Sequence, residues 1–377
     1  MSATYADEFL DLPTNAEAEE ANAPRADTFD LEARVRALRL DREARRLLAA
    51  EDAADVELPD AERLDDLIAA DIDAPRWRID GLWPAGARVN LAAAAKSGKT
   101  TTVGNVVRAL VDGEDFLDHT TAPIDGSVVV FDTEMTRLQL QDWHNDLGIR
   151  NQGRVRIAPF LGCASALDFV TPQTRARLAA KYGGAHTYIL DPLGPVLTSL
   201  GLDENSNTDV QRFLTAWDEF VALMGGKESV VTMHAGHNAE RARGASAFLG
   251  SGSAVWTLMR ESDNADATRF FKAQGRDVNV HERAVVHDAV TRRLSLGQGN
   301  RKDAKAAEAL PVVLEVLRRH KEGLSGRGVE AELADSAEVT QKQVRDALKM
   351  AHREGLTFTF SGPKNATMHT LKRGEAK

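Results

Sequence analysis

The sequence predicts an α/β protein with a mostly parallel sheet that antiparallel strands extend, followed by a small C-terminal domain. After Pro84, short apolar runs alternate with segments of helical period, as in βα units wound around a parallel sheet. The predicted core helices cover 99–111, 137–147, 172–181 and 207–223. From about residue 254 to 297 the pattern changes to strands alone, which predicts an antiparallel extension of the sheet.

The N-terminal part of the chain is predicted to lie outside this core. Residues 1–26 are rich in Ala, Glu, Asp and Asn and poor in apolar residues, which predicts an acidic disordered segment. Residues 27–74 are predicted to form a helical extension, because leucines recur at helical spacing with six arginines between Leu31 and Ala50. Docking on a neighbouring subunit and simple solvation both remain open for this helix. Trp77 and Trp83 lead into the core and are expected to pack there, with adenine stacking as the alternative.

The segment from Leu91 to Thr102 has the pattern of a phosphate-binding loop between a strand and a helix. In such a loop, backbone N–H groups face the phosphates, the lysine reaches the β- and γ-phosphates, and the next hydroxyl ligates Mg²⁺. Ala93 stands where the common pattern has glycine, which is tolerated if φ is negative there. An ordinary strand-to-helix turn is the alternative. The predicted nucleotide-binding residues are Ala93, Ala94, Ala95, Lys96, Ser97, Gly98, Lys99, Thr100 and Thr101.

Two further apolar runs end in acidic residues, as the strands beside such a loop require. The run from Ser127 leads to Glu134, and the run from Thr187 ends at Asp191. Asp191 is predicted to hold Mg²⁺ through water together with Thr100, and Glu134 to polarise the attacking water. Each acid alone is equally consistent with a helix N-cap. In this order after Lys99, the three strand-end signals favour a nucleotide site. Lys96 either adds charge near the phosphates or points outward.

A fourth strand ends at His234 and enters the loop from Ala235 to Gly244. His234 is predicted to sense the γ-phosphate and to pass its loss to this loop, which carries Arg241 and Arg243. In the alternative interpretation, His234 caps a strand and the arginines are solvated. On a later strand, Lys272 and Arg276 have even spacing and therefore point to one side. They are predicted to reach a neighbouring subunit's γ-phosphate, or else to be exposed charges on an edge strand.

Residues 298–309 are predicted to be a polar linker to a separate domain at 310–377. Three amphipathic segments and a hairpin pattern around Ser361–Asn365 predict a winged helix. The third helix and the wing tip carry basic residues where a recognition helix and a wing contact DNA. These predicted DNA-binding residues are Lys342, Arg345, Lys349 and Lys364. A domain used only for protein contacts, with solvated basic residues, is the alternative.

These motifs resemble the RecA-like P-loop ATPases of the RepA/DnaB hexameric helicase type, especially the AAA_25 (RepA-like) ATPases of actinobacteria and their phages. The resemblance covers about residues 75–297. Phe131–Met135 is similar to the Ser-Leu-Glu-Met strand of DnaB-type helicases, whose Glu is catalytic, and this favours Glu134 over Asp132. Similarities at 233–237, 240–244 and 274–277 imply a sensor at His234 and an arginine finger at Arg276. Ala235 departs from the family, which often has a second adjacent histidine.

Composition and charge limit the class of protein. The 43% hydrophobic content is typical of a globular chain, and no apolar run or basic N-terminal region suggests a membrane span or secretory signal. The single cysteine, Cys163, excludes an internal disulfide and is predicted to lie in the core. The net charge of −10 hides a net of −13 in residues 1–75 and of +4 in residues 301–377. A cytoplasmic protein is therefore expected, and the whole-chain charge says little about nucleic-acid affinity.

The resemblance and the motifs together predict an ATP-dependent DNA helicase or translocase acting in phage or plasmid replication, with ATP and Mg²⁺ as cofactors. Its expected partners are single- or double-stranded DNA, further copies of the chain in a hexameric ring, and a replication protein contacting the N-terminal segment. A DNA-binding initiator, helicase loader or regulator with ATP as an assembly switch is the alternative. A RecA-like recombinase ranks lowest, because the sequence has no separate strand-exchange signature.

Overall fold

The computed structural model describes residues 28–54, 60–71, 75–235, 246–262, 264, 267–334 and 339–372. The chain divides into two compact units, Met1–Asp71 and Ile72–Lys377. The predicted disordered segment 1–26 lies outside the described residues. The described helices of the first unit are α1 (Thr28–Ala54) and α2 (Leu64–Ala69). The leucines of α1 whose side chains are described, Leu31, Leu38, Leu40 and Leu47, are exposed.

The second unit begins with a nine-stranded sheet and its helices. In chain order the elements are β1 (Trp77–Ile79), β2 (Trp83–Pro84), β3 (Arg88–Ala94), α3 (Lys99–Asp112), β4 (Val128–Asp132), α4 (Arg137–Leu147), β5 (Val155–Pro159), α5 (Pro172–Tyr182), β6 (Thr187–Asp191), α6 (Gly194–Ser199), α7 (Asn207–Leu223), β7 (Glu228–Ala235), α8 (Ser246–Gly250), β8 (Ala254–Arg260), β9 (Arg269–Gly275), β10 (Asn279–His287) and β11 (Leu294–Leu296). Strands β1 and β2 form a separate antiparallel pair.

The strand order of the large sheet is β11-β10-β9-β8-β3-β7-β6-β4-β5. Strands β8, β3, β7, β6, β4 and β5 run parallel, and β9, β10 and β11 continue the sheet as antiparallel neighbours. This is the predicted mixed α/β fold of a RecA-like core. Because the phosphate-binding segment follows the central strand β3, the ends of β7, β6 and β4 lie beside it at the same edge.

The sheet is covered on both faces, which is why its central strands are apolar at nearly every position. Alternate residues of β3 serve different layers: Val89, Leu91 and Ala93 belong to the core under α3, and Ala92 to the core under α7. Trp83 is fully buried in the first layer, and its ring meets Trp256 edge-on with centroids 6.0 Å apart. Packing is therefore the role of Trp83.

A buried ion pair joins the small β1–β2 pair to the large sheet. Arg78 donates from Nε to Oε2 of Glu228 at 2.9 Å, and both side chains are almost fully buried. Arg78 also donates to the carbonyl of Ala122, and Glu228 accepts from the backbone N–H of Gly86. Nearly every polar atom of this pair thus has a partner, as a buried charge requires.

The C-terminal part consists of α9 (Arg301–Arg319), β12 (Leu324–Ser325), α10 (Gly326–Glu332), α11 (Gln341–Arg353), β13 (Thr357–Ser361) and β14 (Thr367–Leu371). Its strands form an antiparallel sheet in the order β12-β14-β13, and the helices enclose an apolar cluster of their own. The segment predicted to be a linker is mostly helical, because α9 begins at Arg301. Asn300 caps this helix by accepting from the N–H groups of Lys302 and Asp303, and Ala306 and Ala309 are buried.

Two further expectations concern the surface. Cys163 was expected in the core, but it is exposed. It precedes a short 3₁₀ turn, Ala164–Ala166, so the apolar residues that bury this region come later, at Leu167 and Phe169. Among the helices of the described residues, none is both long and apolar enough to cross a membrane.

Candidate nucleotide site

The loop after β3 has the backbone that phosphate binding requires. The strand ends at Ala94, and α3 begins at Lys99 immediately after Gly98, whose φ is +102°. Lys96 is also left-handed, with a φ of +58°, and its side chain is exposed. This tight path turns the first N–H groups of a 14-residue helix toward the end of the sheet. The exposure of Lys96 supports the outward orientation.

The alanine that replaces the usual glycine fits this loop. Ala93 lies within β3, paired with His234 of β7 and Leu258 of β8, and is not among the residues with positive φ. Its methyl group is fully buried in the core. An extended residue needs no glycine, since only a left-handed φ penalises a side chain. Ser97 closes the loop by donating its hydroxyl to the carbonyl of Ala94 at 2.7 Å.

Lys99 is the centre of a polar cluster formed by four different elements. Its Nζ lies 3.2 Å from Nε2 of His234, 3.8 Å from Oε2 of Glu134 and 4.0 Å from Oδ1 of Asp191. The Lys99 side chain is only 7% exposed, so these contacts occur largely out of water. The sequence-predicted residues from α3, β6, β7 and the loop after β4 therefore converge on one point.

Glu134 and the preceding Asp132 lie in different environments at the end of β4. Glu134 is 41% exposed, and the hydrogen bond with Nε2 of His234 at 3.1 Å, aided by the charge of Lys99, lowers the pKa of its carboxyl group. Burial raises the pKa of Asp132 to about 6, although Asp132 accepts hydrogen bonds from the N–H groups of Met135 and Glu134. Of the two, Glu134 is the accessible carboxylate. The buried Asp132 holds the turn.

The turn that carries Glu134 is fixed on both sides. Thr136 begins α4 with a reciprocal capping arrangement in which Thr136 and Gln139 bond each other's backbone N–H groups. Thr133 donates its hydroxyl to the carbonyl of Pro192, and its N–H to the carbonyl of Asp191. The carboxylate of Glu134 is thus presented from a short segment anchored to β6 and α4.

Asp191 is buried and only half satisfied. Its Oδ1 accepts a hydrogen bond from the Thr232 hydroxyl at 2.5 Å, whereas Oδ2 has no hydrogen-bond partner in the described part of the chain. An unpaired buried carboxylate oxygen beside a lysine is costly unless a ligand or water completes it. No cluster of three or more His, Cys, Asp or Glu side chains suited to a metal occurs among the described residues. A metal here would need donors from a hydroxyl, water or nucleotide.

Two residues of this site were missed by the sequence analysis. Thr232 orients Asp191, and its position two residues before His234 on the same strand face was the available signal. Arg269 is the second: a Cβ built on Gly98 would lie 3.7 Å from its Nε, so this side chain packs against the phosphate-binding loop. Nothing in the sequence indicates that contact, because it depends on β9 turning back along β8.

Lys272 and Arg276 do not join the cluster around Lys99 within one chain. Together with Gln274 on β9 and Thr257 on β8, they line a separate cleft of about 380 Å³, whose other wall includes Gly250 and Gly252. The register pairs Gly275 with Ala254, whereas the P-loop end of β8 is at Leu258. At about 3.3 Å per residue, Gly275 and the following Arg276 are roughly 13 Å or more along the strand from that end, whereas Lys272 pairs with Thr257, one residue from Leu258.

The cleft wall is held by a buried polar network from β3. Asn90 donates to the carbonyl of Phe248 at 2.5 Å, and Arg88 donates to the carbonyl of Ser251 at 2.8 Å and also pairs with Asp218. Arg241 and Arg243 lie outside the described residues, in the segment 236–245. The strand before that segment ends one residue after His234, and the helix after it, α8, is anchored by Asn90.

The predicted DNA-binding residues of the C-terminal part differ in whether their charge is free to contact a ligand. Lys342 and Lys349 on α11 are exposed, and Lys364 is exposed at the tip between β13 and β14. Arg345 is instead engaged in a bidentate pair with Glu330, with bonds of 2.7 and 2.9 Å. Its charge is compensated within the domain, which the sequence pattern did not indicate.

The AAA domain family designated AAA_25 matches residues 52–240, half of the chain and the part that contains Lys99, Glu134, Asp191 and His234. The chain belongs to this family. As an AAA_25 protein with this strand order and loop, it has a RecA-like P-loop ATPase domain, and the family implies that it binds a nucleotide.

A KaiC-like protein from the hyperthermophilic archaeon Pyrococcus horikoshii OT3 is similar in structure, with 13% sequence identity and a TM-score of 0.43. The match covers 59% of this chain and 94% of that chain. A search of curated protein sequences gave no match.

Proposed function

We propose that this AAA_25 protein is an ATP-dependent motor that assembles as a hexameric ring of the RepA/DnaB helicase type and moves along or unwinds DNA during replication. The observation that carries the proposal is the position of His234. It contacts both Lys99 and Glu134, and its strand leads directly into the segment with Arg241 and Arg243. A change at the γ-phosphate therefore has a short path to a basic loop.

The residues of the cluster divide the work of hydrolysis. Lys99 and the N–H groups at the start of α3 bind the β- and γ-phosphates of ATP, and Glu134 accepts a proton from the attacking water. Its lowered pKa keeps it ionised at neutral pH. Thr100 and Asp191 suit Mg²⁺ carried with the nucleotide, since Oδ2 of Asp191 is free to accept from metal-bound water. Bound Mg²⁺ would supply charge neutralisation on the phosphates.

In the proposed assembly, Lys272 and Arg276 act on the nucleotide of a neighbouring copy. Arg276 follows the end of β9, remote along the strand from the P-loop end of β8, and this supports a role in trans. The same cleft brought against another copy would add the positive charge that the phosphoryl transition state needs. The Arg241 and Arg243 segment holds the DNA backbone without reading sequence. Lys342, Lys349 and Lys364 of the C-terminal part, proposed to be a winged helix, supply loading or site recognition.

The test is ATP hydrolysis with and without single-stranded DNA, at low and moderate salt, for the wild type, Glu134→Gln and the control Glu219→Gln. Glu219 is an exposed carboxylate on α7 that pairs with Arg175. Strong DNA stimulation that Glu134→Gln alone abolishes, with nucleotide binding retained, supports the motor. Slow hydrolysis indifferent to DNA favours an initiator, loader or regulator that uses ATP as an assembly switch.

The switch remains the second candidate because of the C-terminal part. This part has its own apolar cluster and carries exposed lysines on one helix, as a sequence-selective DNA-binding domain does. In a loader or initiator, that domain determines where the protein binds, and deletion of 305–377 abolishes site selection. In the motor, the same deletion leaves DNA-stimulated hydrolysis in place.

A further inference from the structure

The hairpin β13–β14 carries its two phenylalanines on the face turned away from the helices. Register pairs Thr357 with Leu371, and Leu371 packs against the apolar cluster of the C-terminal part, so this face meets the helices. The opposite face, here called the hairpin face, consists of Phe358, Phe360, Met368 and Thr370, because side chains alternate along a strand. Phe358 is 54% exposed and Phe360 45%.

This arrangement reverses the usual pattern of a half-buried strand, in which apolar residues face the core. It also occurs on β13, which is the edge strand of its sheet. Two phenylalanines at alternate positions of an exposed edge are an aggregation hazard unless a ligand covers them. Their Cα atoms are about 7 Å apart along the strand, at about 3.3 Å per residue.

Charge indicates what kind of ligand this is. From Gly355 to Lys372 the chain has two lysines, one histidine, several hydroxyl side chains and no Asp or Glu, although the whole protein has a net charge of −10. Lys372 lies over the Phe358 ring, with Nζ 5.8 Å from the centroid, and Lys364 is at the hairpin tip. Within this segment the exposed rings are accompanied by lysines and by no acid, which fits a ligand that is both aromatic and anionic.

We propose that the hairpin face is a platform on which the bases of a single-stranded nucleic acid stack, with Lys364 and Lys372 on its phosphates. Bases offer flat faces to Phe358 and Phe360 only when they are unpaired, so the platform prefers a single strand to a duplex. This goes beyond the motor and switch proposals, since it needs no ATP. Recognition by Lys342 and Lys349 on α11 is a separate contact.

The test measures fluorescence anisotropy of labelled oligo-dT and of a duplex with the full-length protein in the absence of nucleotide. Phe358→Ala and Phe360→Ala are each expected to weaken oligo-dT binding by about tenfold, from the usual stacking free energy of 1–3 kcal/mol per base. Duplex binding is expected to change less than twofold. Thr359→Ala, an exposed residue between the two on the other face, is the matched control and binds like the wild type.

Salt dependence separates the two kinds of contact. The phenylalanine variants are expected to keep the slope of log K against log [salt], because stacking releases no counterions. Lys364→Ala and Lys372→Ala are each expected to lower the slope by about 0.7, the value for one phosphate of a single strand. The aromatic variant Phe358→Trp is expected to bind oligo-dT like the wild type, and Phe358→Leu to bind it as weakly as Phe358→Ala.

Three results would overturn the proposal. The first is oligo-dT binding that is unchanged in both alanine variants, and the second is full oligo-dT binding by Phe358→Leu. The third is a change in the oligomeric state of the alanine variants, measured by light scattering, while their DNA binding stays intact. The last result would mean that the hairpin face contacts a second copy of the chain. Because DNA-independent ATP hydrolysis is measured separately, failure here and failure of the ATPase proposal are distinguishable. Circular dichroism checks that each exposed substitution leaves the fold intact.

Discussion

His234 Nε2 lies 3.1 Å from Oε1 of Glu134, joining the end of β7 to the turn after β4. The same nitrogen is 3.2 Å from Nζ of Lys99. One imidazole thus contacts both the lysine proposed to bind phosphate and the carboxylate proposed to activate water. In the proposed mechanism, loss of the γ-phosphate changes the charge near Lys99, and His234 is expected to respond to that change.

Replacing His234 with Ala is expected to uncouple hydrolysis from DNA. Nucleotide affinity should change less than about threefold, because the phosphate contacts come from the loop and Lys99. The stimulation of ATP hydrolysis by single-stranded DNA should be almost abolished. The hydrogen bond of His234 lowers the pKa of Glu134, and Glu134 must be ionised to act as a base. The acid limb of the pH–rate profile should therefore move to higher pH. His281→Ala, an exposed histidine of β10, is the control; a variant at His234 with normal stimulation and an unmoved profile would contradict the sensor role.

Mixing two inactive variants tests whether Arg276 acts in trans. Arg276→Ala is expected to lower kcat by about 10³-fold, as removal of an arginine finger does. Lys99→Ala should abolish nucleotide binding. In an equimolar mixture, about a quarter of the sites pair an intact Lys99 with an intact Arg276 from the next subunit, so hydrolysis should reappear. The mixture of Arg276→Ala with the Lys99→Ala/Arg276→Ala double variant should stay inactive, because no subunit supplies Arg276. Failure of the first mixture to regain activity would rule out this geometry.

Asp132 gives stability a dependence on pH that can be measured. Its pKa is raised to about 6 from 3.8 by burial, so between these values the folded state binds more protons than the unfolded state. Its contribution therefore lowers the free energy of unfolding as pH rises from about 4 to 6, by about 3 kcal/mol in total. Asp132→Asn keeps an acceptor for the N–H of Met135 and should be more stable than the wild type at pH 7.5. The difference should shrink toward pH 4 in urea denaturation, and a constant difference would mean that Asp132 is not the titrating group.

The Arg78–Glu228 pair should be costly to break from one side. Arg78→Met leaves the buried Glu228 without its ion-pair partner, and the free energy of unfolding should fall by about 3–5 kcal/mol. The Arg78→Met/Glu228→Gln double variant should recover much of this loss, since the neutral side chain still accepts from the N–H of Gly86. Urea denaturation followed by tryptophan fluorescence measures both. Equal losses in the single and double variants would contradict an electrostatic origin.

The periodic part of the fold was predictable because local pattern specifies it. Helices α4 and α7 have the expected bounds, Arg137–Leu147 and Asn207–Leu223, since both have clear caps and apolar stripes. The start of α9 was not predictable from polarity alone. Its first two turns are polar outside and bury only small alanines, Ala306 and Ala309, so they resemble a linker in sequence. The residue type of Cys163 predicts burial, but its position before a short 3₁₀ turn leaves it exposed.

The sequence by itself determined the order and identity of the chemical groups: a phosphate-binding loop, an acid after each of two strands, and a histidine after a third. Parallel strands meet at one edge, so this order was enough to predict that Lys99, Glu134, Asp191 and His234 share a site. Only the tertiary structure decided which side chains from different segments of the chain contact one another. Thr232 bonding Asp191, Arg269 packing on Gly98, and Glu330 neutralising Arg345 depend on strand register and on side-chain packing between distant segments. Such contacts join residues that are remote in sequence, and no local period records them.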